Sequence, residues 1–348
     1  MELLRIVSMT MVLIVHFDGA SLGLPQIEGW TDILTCRDAW QLGVESLAII
    51  GVNCFTLISG YFGIRLRIKG ITSYLFQCIF YSVGIYCIFC LSGLQKFDFK
   101  SFGESFMVLT HTDLWYVPAY FLLMLCAPLL NLGFSRLTRQ KAVLITIAFL
   151  VFTIIGGWMC GLEFNARGYT VFQLILMYLT GRCIASYYES HPNRLGKNKL
   201  WFTGAYLILS FITTYYAIYD PAKAYAYNSP AVILSSIAFT LIFINLGIKD
   251  KRRDDESGSD GPIVAFIRFL AKSAFAVYLV HKAPLMWVNV VKNCTVTAWA
   301  KMSVTEFSIY IICSIIVIYG IVAIIDILRR FLFAKIYCNF ARLIHRTE

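Results

Sequence analysis

Four arginines and two histidines stand where they could act on a substrate, because each interrupts or borders an apolar run: Arg5, His16, Arg65, Arg67, Arg182 and His281. Arg5 and His16 lie eleven residues apart in the first run. On a helix that spacing is three turns plus about 20°, so both leave one face, roughly 16 Å apart. Ser8 and Val12 lie between them on that stripe. A neutral imidazole can take a proton from a hydroxyl near neutral pH, and a guanidinium holds phosphate well. Together they fit group transfer from a phosphate-bearing donor to a hydroxyl. Plainer roles exist for each. Arg5 can snorkel to the headgroups, and His16 can be a histidine satisfied within a bundle. His281 fits a structural, an acceptor-side or a second acid–base role. Arg65 and Arg67 satisfy a cytoplasmic charge bias with no ligand, and Arg182 is a comparable donor-binding candidate. Asp18 falls about 200° round the helix from His16, so an orienting carboxylate has to come from elsewhere.

These side chains need helices in lipid to position them. The 348 residues are 59% hydrophobic and 14% charged, with a mean hydropathy of +0.70, whereas soluble domains carry about 25% charged residues. The composition predicts an all-α polytopic membrane bundle. The net charge of +10 is spread over short loops and does not indicate a nucleic-acid partner. Most of the 11 cysteines lie inside apolar runs as small hydrophobes. Cys87 and Cys90 read as packing rather than redox chemistry, while Cys36 and Cys294 fall in outer loops where they could pair. No His/Cys cluster has metal-ligand spacing, so no metal is expected. The first run lacks a signal-peptide cleavage site and is read as a retained span.

Ten apolar segments follow, at approximately 3–23, 42–63, 71–93, 114–132, 142–161, 169–188, 200–219, 230–248, 263–285 and 306–330. Each is long enough to cross a hydrocarbon core needing about 20 residues. Basic residues follow the even segments, as with Arg65, Arg67 and Lys69, or Lys249, Lys251, Arg252 and Arg253. The first odd loop carries Asp18, Glu28, Asp32 and Asp38. The positive-inside rule then puts both termini in the cytoplasm. His16, His111 and His281 fall toward the outer side, whereas His191 and His345 lie in cytoplasmic basic segments. Trp30, Trp40, Trp115, Tyr116 and Trp299 read mostly as interface belt residues. One domain is expected over 1–348, with a mobile cytoplasmic loop near 249–262 and no appended soluble domain.

Four segments carry a family resemblance. The opening Glu2-Leu3-Leu4-Arg5 through His16 resembles the R-x10-H start of the acyltransferase-3 family of bacterial integral-membrane O-acyltransferases. Gly51-Val52-Asn53-Cys54-Phe55-Thr56-Leu57-Ile58-Ser59-Gly60-Tyr61-Phe62 is similar to its second span, with Cys54 where an aromatic is common. Leu114-Trp115-Tyr116-Val117 with Pro128-Leu129-Leu130-Asn131 resembles its fourth span. Ala276-Val277-Tyr278-Leu279-Val280-His281 resembles its late Y-L-x-H segment.

The resemblance implies transfer of an acyl group, usually acetyl from acetyl-CoA, to a hydroxyl of a cell-surface or exported glycan at the bacterial cytoplasmic membrane. It makes His16 the catalytic base and Arg5 its donor-side partner. The donor is a substrate, and no tightly bound cofactor is implied. The family's R-x-x-R pattern is replaced here by Arg65-x-Arg67-x-Lys69. Expected partners are acyl-CoA, a glycan acceptor, the lipid bilayer and an outer partner protein. The alternative from another class is a transporter or flippase for a glycan or lipid-linked precursor, its path lined by the same polar stripe. The absence of an internal repeat weighs against that alternative.

Overall fold

A computed structural model describes residues 1–25, 34–246 and 261–344, with side chains described through residue 339. Glu28, Trp30, Asp32, the Lys249–Arg253 run with its acidic continuation, His345 and Arg346 lie outside these residues. The described residues are helical with no strand.

The first half holds α1 (Glu2–Phe17), α2 (Gly19–Leu22), α3 (Cys36–Ala48), α4 (Gly51–Phe62), α5 (Ile68–Leu91), α6 (Phe99–Glu104), α7 (Tyr116–Arg136) and α8 (Arg139–Phe152). The second half holds α9 (Val171–Ser190), α10 (Lys199–Ala217), α11 (Pro221–Ala224), α12 (Pro230–Asn245), α13 (Pro262–Lys272), α14 (Ala274–His281), α15 (Pro284–Met286), α16 (Asn293–Lys301) and α17 (Val304–Ile344). Several starts are written locally. Thr35 accepts from the Asp38 amide while the Asp38 carboxylate accepts from the Thr35 amide, a reciprocal cap for α3. Ser303 and Glu306 do the same at the start of α17. Pro230 and Pro262 occupy first turns, where a missing N–H costs nothing.

A helix lies in each of the ten predicted segments. Among the described residues six helices are long and apolar enough to cross a membrane, or seven if the bent pair α13–α14 is one span. The helices in the other three predicted segments, α9, α10 and α12, do not meet that criterion, so the structure shows fewer such helices than the ten expected. The first two are too polar for that criterion, and α12 has only 16 residues. A helix walled in by protein can afford that polarity, and α9 is such a helix. It packs against α4 at glycines: a Cβ at Gly60 would strike the carbonyl of Tyr178, and one at Gly181 the carbonyl of Leu57. Small residues at both sides bring the backbones together, which is how helices associate where lipid removes the hydrophobic driving force.

Two expectations are corrected. The tenth segment does not end near residue 330, because α17 continues to Ile344 over 41 residues. At about 1.5 Å per residue that is roughly 60 Å, twice a hydrocarbon core of about 30 Å. No Gly or Pro lies between Arg330 and Ile344, so no helix breaker stops it. Cys36 and Cys294, suggested as a pair, are both exposed free thiols, each at the start of its own helix.

Candidate active site

Arg5 lies near the start of α1 and His16 in its last turn, and both side chains border a single cavity of about 310 Å³. The predicted common face therefore exists, with one change. Met9 and Val12 line the cavity between them, while Ser8 is fully buried and packs on α4, where its carbonyl would stand 2.7 Å from a Cβ at Gly51. Residues 8 and 9 straddle the Arg5 stripe at about −60° and +40°, and contact with α4 decides which one faces inward. Arg5 is paired with Glu2 at 2.8 Å and lies over the Phe62 ring at 5.8 Å.

His16 meets His281 at the far end. His16 Nδ1 is 2.6 Å from His281 Nε2, and His281 Nδ1 is 2.6 Å from the Val277 carbonyl. A carbonyl only accepts, so His281 Nδ1 carries hydrogen and its Nε2 holds a lone pair. In the neutral pair His16 must then donate through Nδ1, which leaves its Nε2 with the free lone pair. His281 is completely buried and sits on the last turn of α14, one turn beyond the carbonyl it binds. An orienting partner for His16 was expected to be a carboxylate. The partner is a second imidazole. Asp18 turns away, accepting from Gln41 Nε2 at 2.9 Å, and is fully buried.

The cavity walls are aromatic. Trp115, Tyr116, Tyr120, Tyr74, Tyr227 and Tyr278 face it. Tyr116 stacks on Tyr120 at 5.4 Å, and Tyr74 on Phe275 at 5.2 Å. Trp115 and Tyr116 were read as belt residues; they are cavity wall instead, because α7 begins facing α14 and the Arg167–Tyr227 region rather than lipid. Trp40 and Trp299 stack on each other at 5.7 Å, with Arg37 over Trp299. Beneath Tyr227 a buried polar cluster braces the wall. Asn53 and Gln173 both donate to the Tyr227 carbonyl at 2.9 Å.

The remaining predicted residues are dispersed. Lys272, which sequence reasoning passed over, borders the cavity with Arg5 and supplies a second cation. Its place at the end of the short basic-ended helix α13 was a signal that could have found it. Arg65 and Arg67 are exposed on the loop after α4 and do not line the cavity. That loop is pinned: Tyr178 accepts from the Ile64 amide at 3.0 Å and donates to Asn131, and Asn131 donates to the Ile64 carbonyl at 2.9 Å. Arg182 lies outside the cavity too, against Gly63 and over the Phe134 ring at 5.5 Å. His191 is exposed and stacked on Tyr187, an ordinary loop position. Among the described residues no group of three His, Cys, Asp or Glu could hold a metal ion.

Comparison with known proteins gives the class. The acyltransferase-3 family model, described as an acyltransferase domain, matches residues 1–325. The chain belongs to this family and is a multi-pass membrane acyltransferase. No curated protein and no solved structure matches it.

Proposed function

We propose that the protein moves an acetyl or similar acyl group from cytoplasmic acyl-CoA to a hydroxyl of a glycan at the outer side of the bacterial cytoplasmic membrane, within one catalytic domain. The observation that carries this reading is the His16–His281 pair closing one end of a cavity whose other end holds Arg5 and Lys272. Two cations near the cytoplasmic entrance suit the phosphates of coenzyme A. The apolar and aromatic stretch between them suits its thioester arm, over roughly 16 Å from Arg5 to His16.

The acceptor hydroxyl gives its proton to His16 Nε2 as its oxygen attacks the thioester carbonyl carbon. The C–S bond then breaks, and the imidazolium returns the proton to the leaving thiolate, so ester and thiol form with no net proton change. His281 holds the His16 ring in the tautomer that leaves Nε2 basic and accepts the hydrogen bond that strengthens as His16 becomes cationic. Arg65, Arg67 and Arg182 lie outside the cavity, so in this reading they meet only the outlying part of the donor.

The test is transfer of radiolabel from acetyl-CoA by purified protein, wild type against His16→Ala. General-base catalysis contributes on the order of 10²–10⁴-fold, and a loss of that size with the variant still folded is expected. Wild-type turnover retained in His16→Ala would move the base elsewhere. No turnover and no coenzyme A binding in wild type would return the protein to the flippase reading.

A further inference from the structure

Helices α8, α9, α10 and α12 enclose a groove of about 450 Å³, and none of its lining residues borders the cavity of Arg5 and His16. α8 packs on α9 and α10 on α12, and the groove lies between the two pairs. α8 and α9 run antiparallel along it. Arg139, at the start of α8, lies over the ring of Tyr187 near the end of α9 at 4.9 Å, and deeper in Thr146 Oγ1 is 3.4 Å from Cys183 Sγ. The lining runs from Val143 to Leu150 on α8 and from Thr180 to Tyr187 on α9. That is roughly 10 Å of helix, against about 15 Å for half a hydrocarbon core. Asn245 holds the facing wall in place. It donates to the Tyr188 hydroxyl at 2.7 Å and accepts from the Gly196 amide at 3.1 Å, which ties the end of α12 to α9 and to the connection after it.

The interior of this groove is apolar and its mouth is cationic. No charged side chain lines it. The hydroxyls of Thr146 and Thr180 each donate to a carbonyl one turn back in their own helix, both at 2.8 Å, so the walls offer an occupant mainly dispersion contact. At the mouth, Tyr187 carries Arg139 over its ring and His191 stacked on it at 4.8 Å, with Arg139 Nη1 3.4 Å from His191 Nδ1. That contact brings the segment of Arg136, Arg139 and Lys141 against the segment of Arg194, Lys197 and Lys199, six cations with Glu189 as the one carboxylate between residues 134–141 and 186–200. Among the described residues no carboxylate pairs with Arg139. The positive-inside rule puts this basic end in the cytoplasm.

A molecule with a hydrocarbon chain and an anionic head is complementary to such a groove, and basic pockets between membrane helices on the cytoplasmic side hold anionic lipid headgroups. A zwitterionic lipid brings the same chain, but its ammonium group meets the same cations unfavourably. We infer that the groove between α8, α9, α10 and α12 binds an acyl chain of an anionic phospholipid from the cytoplasmic leaflet, with the lipid phosphate held at Arg139. The chain fills the gap between the two helix pairs and ties α8 and α9 to α10 and α12. This lipid is bound and not consumed, so the inference is independent of the acyl-transfer reading.

The experiment is the thermal midpoint of the full chain, purified in neutral detergent and titrated separately with phosphatidylglycerol, phosphatidylcholine of the same chains, and glycerol phosphate. Bound lipid and oligomeric state are counted by native mass spectrometry. Wild type is compared with Arg139→Gln, which removes the head contact, and Ile184→Trp, which fills the groove. Phosphatidylglycerol should raise the wild-type midpoint, because a ligand of the folded state stabilises it. Phosphatidylcholine should need at least about 10-fold more lipid for the same shift, a difference of about 1.4 kcal/mol, and glycerol phosphate should give none. Arg139→Gln should need about 10-fold more phosphatidylglycerol, and Ile184→Trp should lose the shift and the bound lipid. Arg139 is only half-buried, at the first position of α8, so its variant tests the head even where the groove variant fails to fold. An equal response to phosphatidylcholine, a shift with glycerol phosphate alone, or a phosphatidylglycerol shift unchanged in Arg139→Gln would overturn the inference. So would a wild-type dimer that Ile184→Trp dissociates, because the groove would then hold a second copy of the chain.

Discussion

At the scale of single residues the proposed reaction turns on which nitrogen of His16 is basic, and the hydrogen bond to His281 decides it. In that reaction His281 acts through His16 as a positioning residue. Replacing it with Ala should lower the transfer rate by about 10²-fold, the lower end of what a general base contributes. His281→Gln, whose side-chain oxygen can accept the same hydrogen bond, should recover part of the rate and keep the wild-type pH profile. His281→Ala should alter that profile, because the His16 ring is then free to present either nitrogen. Equal rates and profiles in both variants would leave His281 with packing alone. Lys282, next in sequence, lies 3.5 Å over the Trp287 ring. The donor end is tested by Arg5→Ala and Lys272→Ala. A charge-assisted hydrogen bond is worth about 1.5–3 kcal/mol, so each should raise the donor KM by roughly 10- to 100-fold with little change in kcat. An unchanged KM would leave Arg5 an anchor paired to Glu2.

At the scale of elements, two packing devices hold the site. The first is the glycine contact of α4 with α9, which carries Ser59 to the cavity wall and Asn53 to the buried cluster beneath it. Gly60→Ala should cost at least about 1–3 kcal/mol, since the obstacle is a backbone carbonyl that cannot rotate away. The measurement is the thermal midpoint of the detergent-purified protein, and an unshifted midpoint would count against so close a contact. The second device ties α17 to α5 and to the break between α13 and α14. Asp326 is fully buried, paired with Arg329 at 2.8 Å, and accepts from Tyr81 at 3.0 Å and from Ser273 at 3.2 Å. Ser273 is the residue at which the α13–α14 path bends by 41°. Asp326→Ala strands a buried guanidinium, for which about 3–5 kcal/mol is expected. The double change Asp326→Leu with Arg329→Met should cost less than the single one.

At the scale of the whole molecule, an acyl-CoA enzyme and a flippase differ in what stabilises the fold. Coenzyme A at 100 times its Kd should add about 2.7 kcal/mol to the folded state, read as a raised midpoint. A flippase for a lipid-linked glycan has no reason to respond. The cavity gives the enzyme reading its direction, with Arg5 and Lys272 at one end and His16 at the other.

The class of the molecule was written along the chain. Ten apolar runs, capped starts at Thr35 and Ser303, and basic residues after alternate runs come from local composition, which a lipid solvent constrains strongly. The common face of Arg5 and His16 was equally legible, since it depends only on helix pitch. The ordered motifs with Trp115, Tyr116, Asn131, Tyr278 and His281 were visible as a resemblance, though not what each one touches. Only the tertiary structure decided that Met9 rather than Ser8 faces inward, that Trp115 is wall rather than belt, and that Lys272 joins Arg5. It alone paired His16 with His281 across 265 residues. Periodicity reports which residues share a face of one helix. Which helix that face meets depends on how the whole bundle closes.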